Sequence, residues 1–212
     1  MKIVITKERR AHERRVAATP DTVKKFIALG FDVAVEQDAG INSRISNQAY
    51  QDAGATISAD IASLLGSADI LLKVQRPLLA GEGEINELAL MKRGALLIAM
   101  LSPYAEPSAI QHYADAGITA LTLEFVPRIT RAQSMDVLSS QSNLAGYRAV
   151  LEAINVYDRA MPMMMTAAGT IAPARVMVLG AGVAGLQAIA TAKRLGAVIE
   201  ASDVRPAVKE QI

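Results

Sequence analysis

The 212-residue sequence predicts an α/β protein with two doubly wound (Rossmann-like) parallel sheets, the second of them truncated. Short aliphatic runs alternate with helical stretches, and Gly or Pro separates them, as in β-α-β units with short connections. Hydrophobic residues make up 51% of the chain and aromatic residues only 4%, which suits aliphatic strands buried between helices. A further strand, glycine turn, helix and strand follow residue 174, which indicates that a second sheet begins there.

The first domain is predicted to hold six strands joined by five helices. The signals are clearest at the first helix, where Thr19 can cap, Pro20 suits the first position and Gly30 suits the exit. Glycines also close later helices, at Gly54 and Gly117. The predicted strands are 2–5, 31–36, 55–57, 69–74, 95–101 and 118–124, and the predicted helices are 20–29, 47–53, 60–65, 85–91 and 107–116.

The alternation stops after residue 124. Residues 125–143 are rich in Arg, Ser and Gln, and a long helix is predicted from about 135 to 159. The Met-rich run 161–165 is interpreted as packing filler, with a soft binding surface as the alternative. The expected organisation is a first domain over 1–135, a connecting helix and linker over 136–165, and an incomplete nucleotide-binding βαβ unit over 166–212.

Composition excludes several classes of function. The net charge is +1, and the arginine pairs among residues 9–15 alternate with glutamates, so a nucleic-acid surface is not indicated. There is no cysteine, which excludes disulfides, thiolate catalysis and cysteine-ligated metals, and no metal site is predicted. No apolar run approaches the roughly 18 residues of a membrane span. Any membrane association is therefore expected to come through a partner.

The strongest local signal is a glycine-rich turn inside a complete βαβ context. Strand 175–179 leads into Gly180, Gly182 and Gly185, and a helix and a second strand follow. Gly180 permits the tight turn, Gly182 leaves room for a pyrophosphate, and Gly185 allows the helix to pack on the strand. The helix N-terminus offers free N–H groups to phosphates. The pattern predicts a Rossmann-like dinucleotide site, against the alternative of a purely structural turn.

Asp203 ends the second strand of this unit, 23 residues after the first glycine. A carboxylate there can accept hydrogen bonds from the adenosine ribose and repels a 2′-phosphate, which favours NAD(H) over NADP(H). Arg205 weakens that preference, because an arginine nearby can accept such a phosphate.

Several longer segments carry a family resemblance. They are Lys7-Glu8, residues 15–20 (RVAATP), residues 127–148 (PRITRAQSMDVLSSQSNLAGYR) and residues 163–169 (MMMTAAG), followed by the glycine motif and residues 203–205. Together they span essentially the whole chain. The sequence resembles the NAD(H)-binding α component, domain I, of proton-translocating NAD(P) transhydrogenases, within the alanine dehydrogenase/transhydrogenase superfamily.

The resemblance implies a nicotinamide site around Arg128, Gln133, Asp136 and Ser139. Arg128 and Gln133 would hold the ring or its carboxamide, Asp136 would hold Arg128 or a ribose, and Ser139 would bond the ring's surroundings. From the residues alone, Ser134, Asp136 and Ser139 are equally compatible with capping of a helix N-terminus. The residues expected to bind the cofactor are Arg128, Ile129, Arg131, Gln133, Ser134, Met135, Asp136, Ser139, Gly180, Gly182, Val183, Gly185, Asp203, Val204 and Arg205.

Alanine dehydrogenase is the nearest rival, and it needs acid–base chemistry on an amine. The dehydrogenase pattern has a histidine after the strand corresponding to 95–101, where this chain reads 100–104 (MLSPY). It also has a substrate-binding lysine where this chain has Gln75. His112 is expected to be exposed, whereas a site role for His12 stays open. These departures favour direct hydride transfer between two nicotinamides.

The resemblance also implies components that this chain does not contain. These are an NADP(H)-binding partner and a membrane proton channel, with this component forming a homodimer on the cytoplasmic face of a bacterial inner membrane. A truncated, non-catalytic NAD-binding module is the further alternative, because the nucleotide-binding sheet is expected to continue past its second strand.

Overall fold

The computed structural model describes residues 1–211, without the side chains of Lys209 and Gln211. The chain divides into two compact units, Met1–Val126 and a second that begins at Pro127. The predicted division at 135/136 stays a prediction, while residues 127–135 and the long helix group with the second unit.

The first unit is a six-stranded parallel sheet in the order β3-β2-β1-β4-β5-β6, which confirms the predicted doubly wound class. Chain order reverses between β1 and β4, so the loops after these two strands diverge and leave a crevice. The strands are β1 Lys2–Ile5, β2 Asp32–Glu36, β3 Thr56–Ser58, β4 Ile70–Gln75, β5 Leu96–Met100 and β6 Thr119–Thr122. The helices are α1 Pro20–Ala28, α2 Asn47–Asp52, α3 Ile61–Ser67, α4 Glu87–Leu90 and α5 Pro107–Asp115.

Local chemistry starts these helices where the sequence indicates. The Thr19 hydroxyl accepts a hydrogen bond from the Thr22 amide at 3.3 Å, and Pro20 occupies the first turn of α1. The Ser46 and Asp60 side chains cap α2 and α3 in the same way.

The core of the first unit lies on both faces of the sheet. Side chains alternate along a strand, so Val4 packs with one cluster while Ile3 and Ile5 pack with the other. The first cluster includes Leu71 and Leu97, both fully buried. Burial on both faces explains why these strands read as continuous aliphatic runs.

The second unit pairs two parallel strands with two long helices. Its elements are a 3₁₀ helix Thr130–Met135, α6 Val137–Val156, an antiparallel hairpin of β7 Met164–Thr166 and β8 Gly169–Ile171, β9 Arg175–Leu179, α7 Val183–Arg194, β10 Val198–Ser202 and a 3₁₀ helix Pro206–Gln211. Helices α6 and α7 cross where Gly146 meets the backbone of Ala184. Any side chain at Gly146 would overlap the Ala184 carbonyl oxygen, so the crossing requires glycine.

Three local features of the second unit differ from the sequence prediction. Helix α7 begins at Val183 rather than after the glycine motif, because the last three residues of the motif already adopt helical geometry. Helix α6 begins at Val137, after the 3₁₀ turn and the cap at Asp136. The 164–171 hairpin was not predicted. Met164 and Met165 within it, and Met163 just before it, are exposed, whereas Met161 is buried as packing filler.

Among the described residues, no helix is long and apolar enough to cross a bilayer.

Candidate dinucleotide-binding site

The candidate site lies at the carboxyl ends of β9 and β10. The two strands pair in register from Arg175 opposite Val198 to Leu179 opposite Ser202, and both end beside the N-terminus of α7. This edge is where doubly wound sheets bind nucleotides.

Each glycine of the turn meets a different steric demand. Gly180 has φ +98°, which a side chain rarely tolerates. Gly185 packs on the Gly180 carbonyl so closely that a Cβ atom would overlap it. Gly182 has an ordinary φ of −76°, and a Cβ atom there would meet nothing within 4 Å. Gly182 therefore leaves open space directly in front of the helix.

The N-terminus of α7 has no side-chain cap. Gly182 occupies the capping position, and the Leu186 amide is the first to bond within the helix, to the Gly182 carbonyl at 2.8 Å. The amides of the first turn consequently point into the open space without intrahelical acceptors, and the helix dipole adds positive potential there.

Asp203 is tied to the glycine turn through the backbone. Its Oδ2 accepts from the Ala181 amide at 2.8 Å, and its Oδ1 accepts from the Arg205 amide at 2.8 Å and from Arg205 Nε at 3.0 Å. The Arg205 side chain and then the Ala181 amide hold the pKa of Asp203 far below its ordinary value, so the carboxylate stays charged. Val204, between them, is 97% exposed.

The 128–139 segment brings two of its predicted residues together. Asp136 caps α6, with its Oδ1 accepting from the Ser139 amide at 2.9 Å and its Oδ2 from the Ser139 hydroxyl at 2.6 Å. The Ser139 hydroxyl and amide, followed by the positive charge of Arg128, hold the pKa of Asp136 below its ordinary value. The predicted capping role is therefore present, and it neither confirms nor excludes a ligand role.

The other predicted residues of this segment point to solvent. Ile129 and Met135 are large apolar side chains that are more than half exposed. The exposed members are Arg128, Ile129, Arg131, Gln133, Ser134 and Met135.

These residues fit a dinucleotide at the glycine turn. The space in front of Gly182 is open, and a Cβ atom there would begin to fill it. The first turn of α7 offers its amides to that space, and Asp203 lies beside the turn. The sequence does not reveal the role of the Ala181 amide, because a backbone donor has no residue signature. The role of Gly146 was not predicted either, since its only sign in the sequence is a glycine inside a predicted helix.

The first unit has its own charged crevice at the ends of β1 and β4. Gln75 donates a hydrogen bond from Nε2 to the Glu13 carboxylate at 2.7 Å. Arg15 donates to the same carboxylate from Nε at 2.8 Å and from Nη2 at 2.7 Å. The Arg15 side chain is the first cause that lowers the pKa of Glu13 to about 2. The Glu13 carboxylate therefore already occupies the donors that Arg15 and Gln75 could offer to a ligand.

Neither histidine lies in a buried polar site. His112 is exposed on α5, as predicted, and His12 is exposed with φ +65° in the loop after β1. In the loop after β5, the amides of Leu101 and Ser102 donate to Glu124 at 3.1 and 2.8 Å.

Family models match nearly the whole chain. The alanine dehydrogenase/PNT N-terminal domain matches residues 4–145, and the alanine dehydrogenase/PNT C-terminal domain matches residues 149–212.

Individual relatives fall into two groups. An NAD(P) transhydrogenase alpha subunit of Rhodospirillum rubrum is 57% identical over 212 residues, which is 100% of this chain and 55% of that protein. Alanine dehydrogenase of Halomonas elongata is 33% identical over 207 residues, which is 96% of this chain and 53% of that protein. The crystal structure of transhydrogenase from Sinorhizobium meliloti superposes with a TM-score of 0.92 at 55% identity, covering 100% of this chain and 59% of that one. The chain thus spans about half the length of the curated relatives it matches.

Proposed function

This chain belongs to the alanine dehydrogenase/PNT family, and from that membership we propose that it is the NAD(H)-binding component of a proton-translocating transhydrogenase. In this role it holds NAD(H) while hydride passes to or from NADP(H) on a partner component. The proposal draws support from the 57% identity to a transhydrogenase subunit, against 33% to an alanine dehydrogenase.

The observation that carries the proposal is the link between Asp203 and the glycine turn. The 2.8 Å bond from the Ala181 amide holds the Asp203 carboxylate, whose pKa is lowered, beside the open space at Gly182. An acceptor for ribose hydroxyls and donors for phosphates then stand at one edge, which is the pairing that a dinucleotide requires.

When bound, the dinucleotide supplies the hydride donor or acceptor. The residues of the chain bind and orient it: the first-turn amides of α7 take the pyrophosphate, and Asp203 takes the adenosine ribose. Arg128, Gln133, Asp136 and Ser139 form the proposed clamp around the nicotinamide. Because Asp136 and Asp203 both have lowered pKa values, neither carries a proton to donate near neutral pH. Such a site works by orientation rather than by proton transfer.

The side chains at the crevice of the first unit also favour hydride transfer over amino-acid oxidation. Glu13 accepts the hydrogen bonds that Arg15 and Gln75 donate, and its negative charge would repel a second carboxylate placed there. An amino-acid or keto-acid carboxylate is therefore disfavoured at this position.

The test adds NADH to the chain and follows its fluorescence, and then adds a family NADP(H)-binding component with NADPH and an NAD analogue as acceptor. We expect NADH binding and hydride transfer between nucleotides. Ammonia with pyruvate is the parallel assay, and pyruvate-dependent NADH oxidation would replace the proposal with an amino-acid dehydrogenase. Loss of both binding and transfer would instead favour a non-catalytic module.

The proposed setting follows from the same role. We propose a homodimer that associates with NADP(H)-binding and membrane proton-channel components, peripheral on the cytoplasmic face of a bacterial inner membrane. Co-purification of this chain with membranes that contain those components, and its release when they are absent, is the measurement that checks the assignment.

A further inference from the structure

The crevice between β1 and β4 contains two arginines that converge from different loops. Arg10 follows β1 and Arg76 follows β4, the two strands at which the order of the sheet reverses. Arg10 is fixed by bonds from its Nε to the Arg76 carbonyl at 3.2 Å and from its Nη2 to the Pro77 carbonyl at 3.3 Å. Ligands of doubly wound sheets bind at such crevices.

A single carboxylate, that of Glu82, occupies this arginine pair. Arg76 donates to it from Nη1 at 2.8 Å and from Nη2 at 2.6 Å, and Arg10 donates from Nη2 at 2.8 Å. The Leu79 amide adds a fourth bond at 2.9 Å. A bidentate guanidinium, a second guanidinium and a backbone amide together form a typical receptor for an oxyanion.

Glu82 sits on an exposed segment with a glycine on each side. Its neighbours are Gly81, with φ +85° and open space around it, and Gly83. Residues 80–84, which we name the strap, are all exposed. Glycines on both sides of the anchoring residue lower the cost of swinging it outward.

A buried tyrosine hydroxyl lies near the two arginines. Tyr113 is 1% exposed, and its hydroxyl makes no hydrogen bond of normal geometry among the described residues, although the Arg76 side chain is close enough to interact with it. Burial raises the pKa of Tyr113, and the charges of Arg76, Arg10 and Glu82 act on the same hydroxyl. A buried donor without a partner is costly, so it marks a place where a ligand atom would gain a bond.

We propose that Arg10, Arg76 and Tyr113 form a binding site for a small oxyanion, a phosphate or a carboxylate, and that Glu82 on the strap closes it as an internal, displaceable ligand. With Glu82 in place the two arginine charges are balanced by Glu82 and by Glu106, whose Oε1 lies 3.7 Å from Arg76. With Glu82 displaced, a net positive charge remains to hold the incoming anion. This site lies in the first unit and does not depend on the proposed function.

Glu13 provides the internal contrast. It too is bound by an arginine guanidinium, but its side chain is only 4% exposed. Its arginine partner, Arg15, is only two residues away in the sequence. The Glu82 side chain is 26% exposed and reaches its arginines from a glycine-flanked loop. Of these two carboxylates, only Glu82 is both partly exposed and flanked by glycines.

The test is a titration with inorganic phosphate, and separately with acetate, at constant ionic strength. Binding is followed through the Arg10 and Arg76 Nε–Hε NMR signals in the wild type, in Glu82→Ala and in Glu82→Gln. We expect weak binding in the wild type and about tenfold tighter binding in both variants, because the competing internal carboxylate is gone. The tighter of the two anions identifies the chemical class.

Two further variants decide between a site and an adventitious effect. Glu84→Ala alters the same strap without touching the arginines and should bind like the wild type. Adding Arg76→Gln to Glu82→Ala should abolish the gain. Equal affinity in the wild type and both Glu82 variants, or a gain that survives Arg76→Gln, would overturn the proposal. Dispersed amide spectra for each variant confirm that it is folded.

Discussion

At the scale of single residues, Gly182 and Gly185 are the same residue type placed for different reasons. A Cβ at Gly185 overlaps the Gly180 carbonyl, whereas a Cβ at Gly182 enters empty space. The fold therefore imposes no steric demand at Gly182, and the demand expected there is that of the proposed pyrophosphate.

We accordingly expect Gly182→Ala to lower the thermal stability of the chain only slightly, through the poorer N-cap, and to weaken NADH binding by about tenfold or more, roughly 1.4 kcal/mol. Calorimetry and NADH fluorescence give the two readings. Gly185→Ala is the matched control and should lower the melting temperature. Unchanged NADH affinity in a folded Gly182→Ala variant would count against a pyrophosphate at this turn.

Substitutions of Asp136 can distinguish a role in helix capping from a role in cofactor binding. Asparagine caps helices about as well as aspartate but carries no charge to face Arg128. Asp136→Asn should therefore keep the helix content by circular dichroism and slow hydride transfer roughly ten- to a hundredfold. Asp136→Ala should affect both. Wild-type transfer rates in Asp136→Asn would leave capping as the sole role of this residue.

Glu13 links the crevice of the first unit to acid stability. Its pKa is lowered from 4.5 to about 2 by Arg15, so the unfolded chain binds more protons than the folded chain as pH falls. The stabilisation is complete above pH 4.5 and is lost as the pH falls towards about 2. Urea unfolding at several pH values should show a shallower acid slope for Glu13→Gln than for the wild type. Parallel slopes would contradict the assignment.

At the scale of elements, the crossing of α6 and α7 depends on Gly146. Replacing glycine with alanine normally stabilises a helix by about 1 kcal/mol. Gly146→Ala should nevertheless destabilise the second unit, because its methyl group overlaps the Ala184 carbonyl. Chemical unfolding measures the change, with Asn143→Ala, at an exposed position of the same helix, as control. A stabilised Gly146→Ala variant would show that the crossing relaxes freely.

The sequence predicted elements best where local signals and burial agree. The strand at 2–5 and the cap at Thr19 are found as predicted, because alternation, capping and the glycine exit all point the same way. The hairpin 164–171 escaped prediction, because its methionines are exposed and give no periodic burial pattern. The predicted start of α7 was too late, because the glycines of the motif do not suggest that its last residues are helical.

The sequence indicated the edge of the sheet at which the candidate site lies, but not the contacts within it, and the ligand roles of the predicted residues stay predictions. The glycine spacing and Asp203 indicated the edge of the sheet, yet no pattern revealed that Asp203 bonds to the Ala181 amide. The capping bond between Asp136 and Ser139 was one of two stated alternatives. Charged residues of distant loops, such as Arg10 and Glu82, meet only after folding.

At the scale of the whole molecule, each core cluster lies within one unit. The two clusters on the first sheet contain only residues before 127, and the third contains Val150, Met161, Ala174 and Ala192. Residues 1–126 should therefore fold alone, because the sheet and both of its cores are complete within them. Amide dispersion by NMR and a cooperative melt are the measurements. A molten 1–126 polypeptide would contradict this division.

The position of β1 has a consequence for biosynthesis. Within its sheet this strand is made before the other five, yet it lies in the middle, pairing with Val33 on one side and Ile70 on the other through Ile3. The ribosome must therefore release the chain beyond Ile70 before the strand gains its second neighbour. Until then one of its edges offers open hydrogen-bonding groups, and nascent chains are expected to need chaperone protection during that interval.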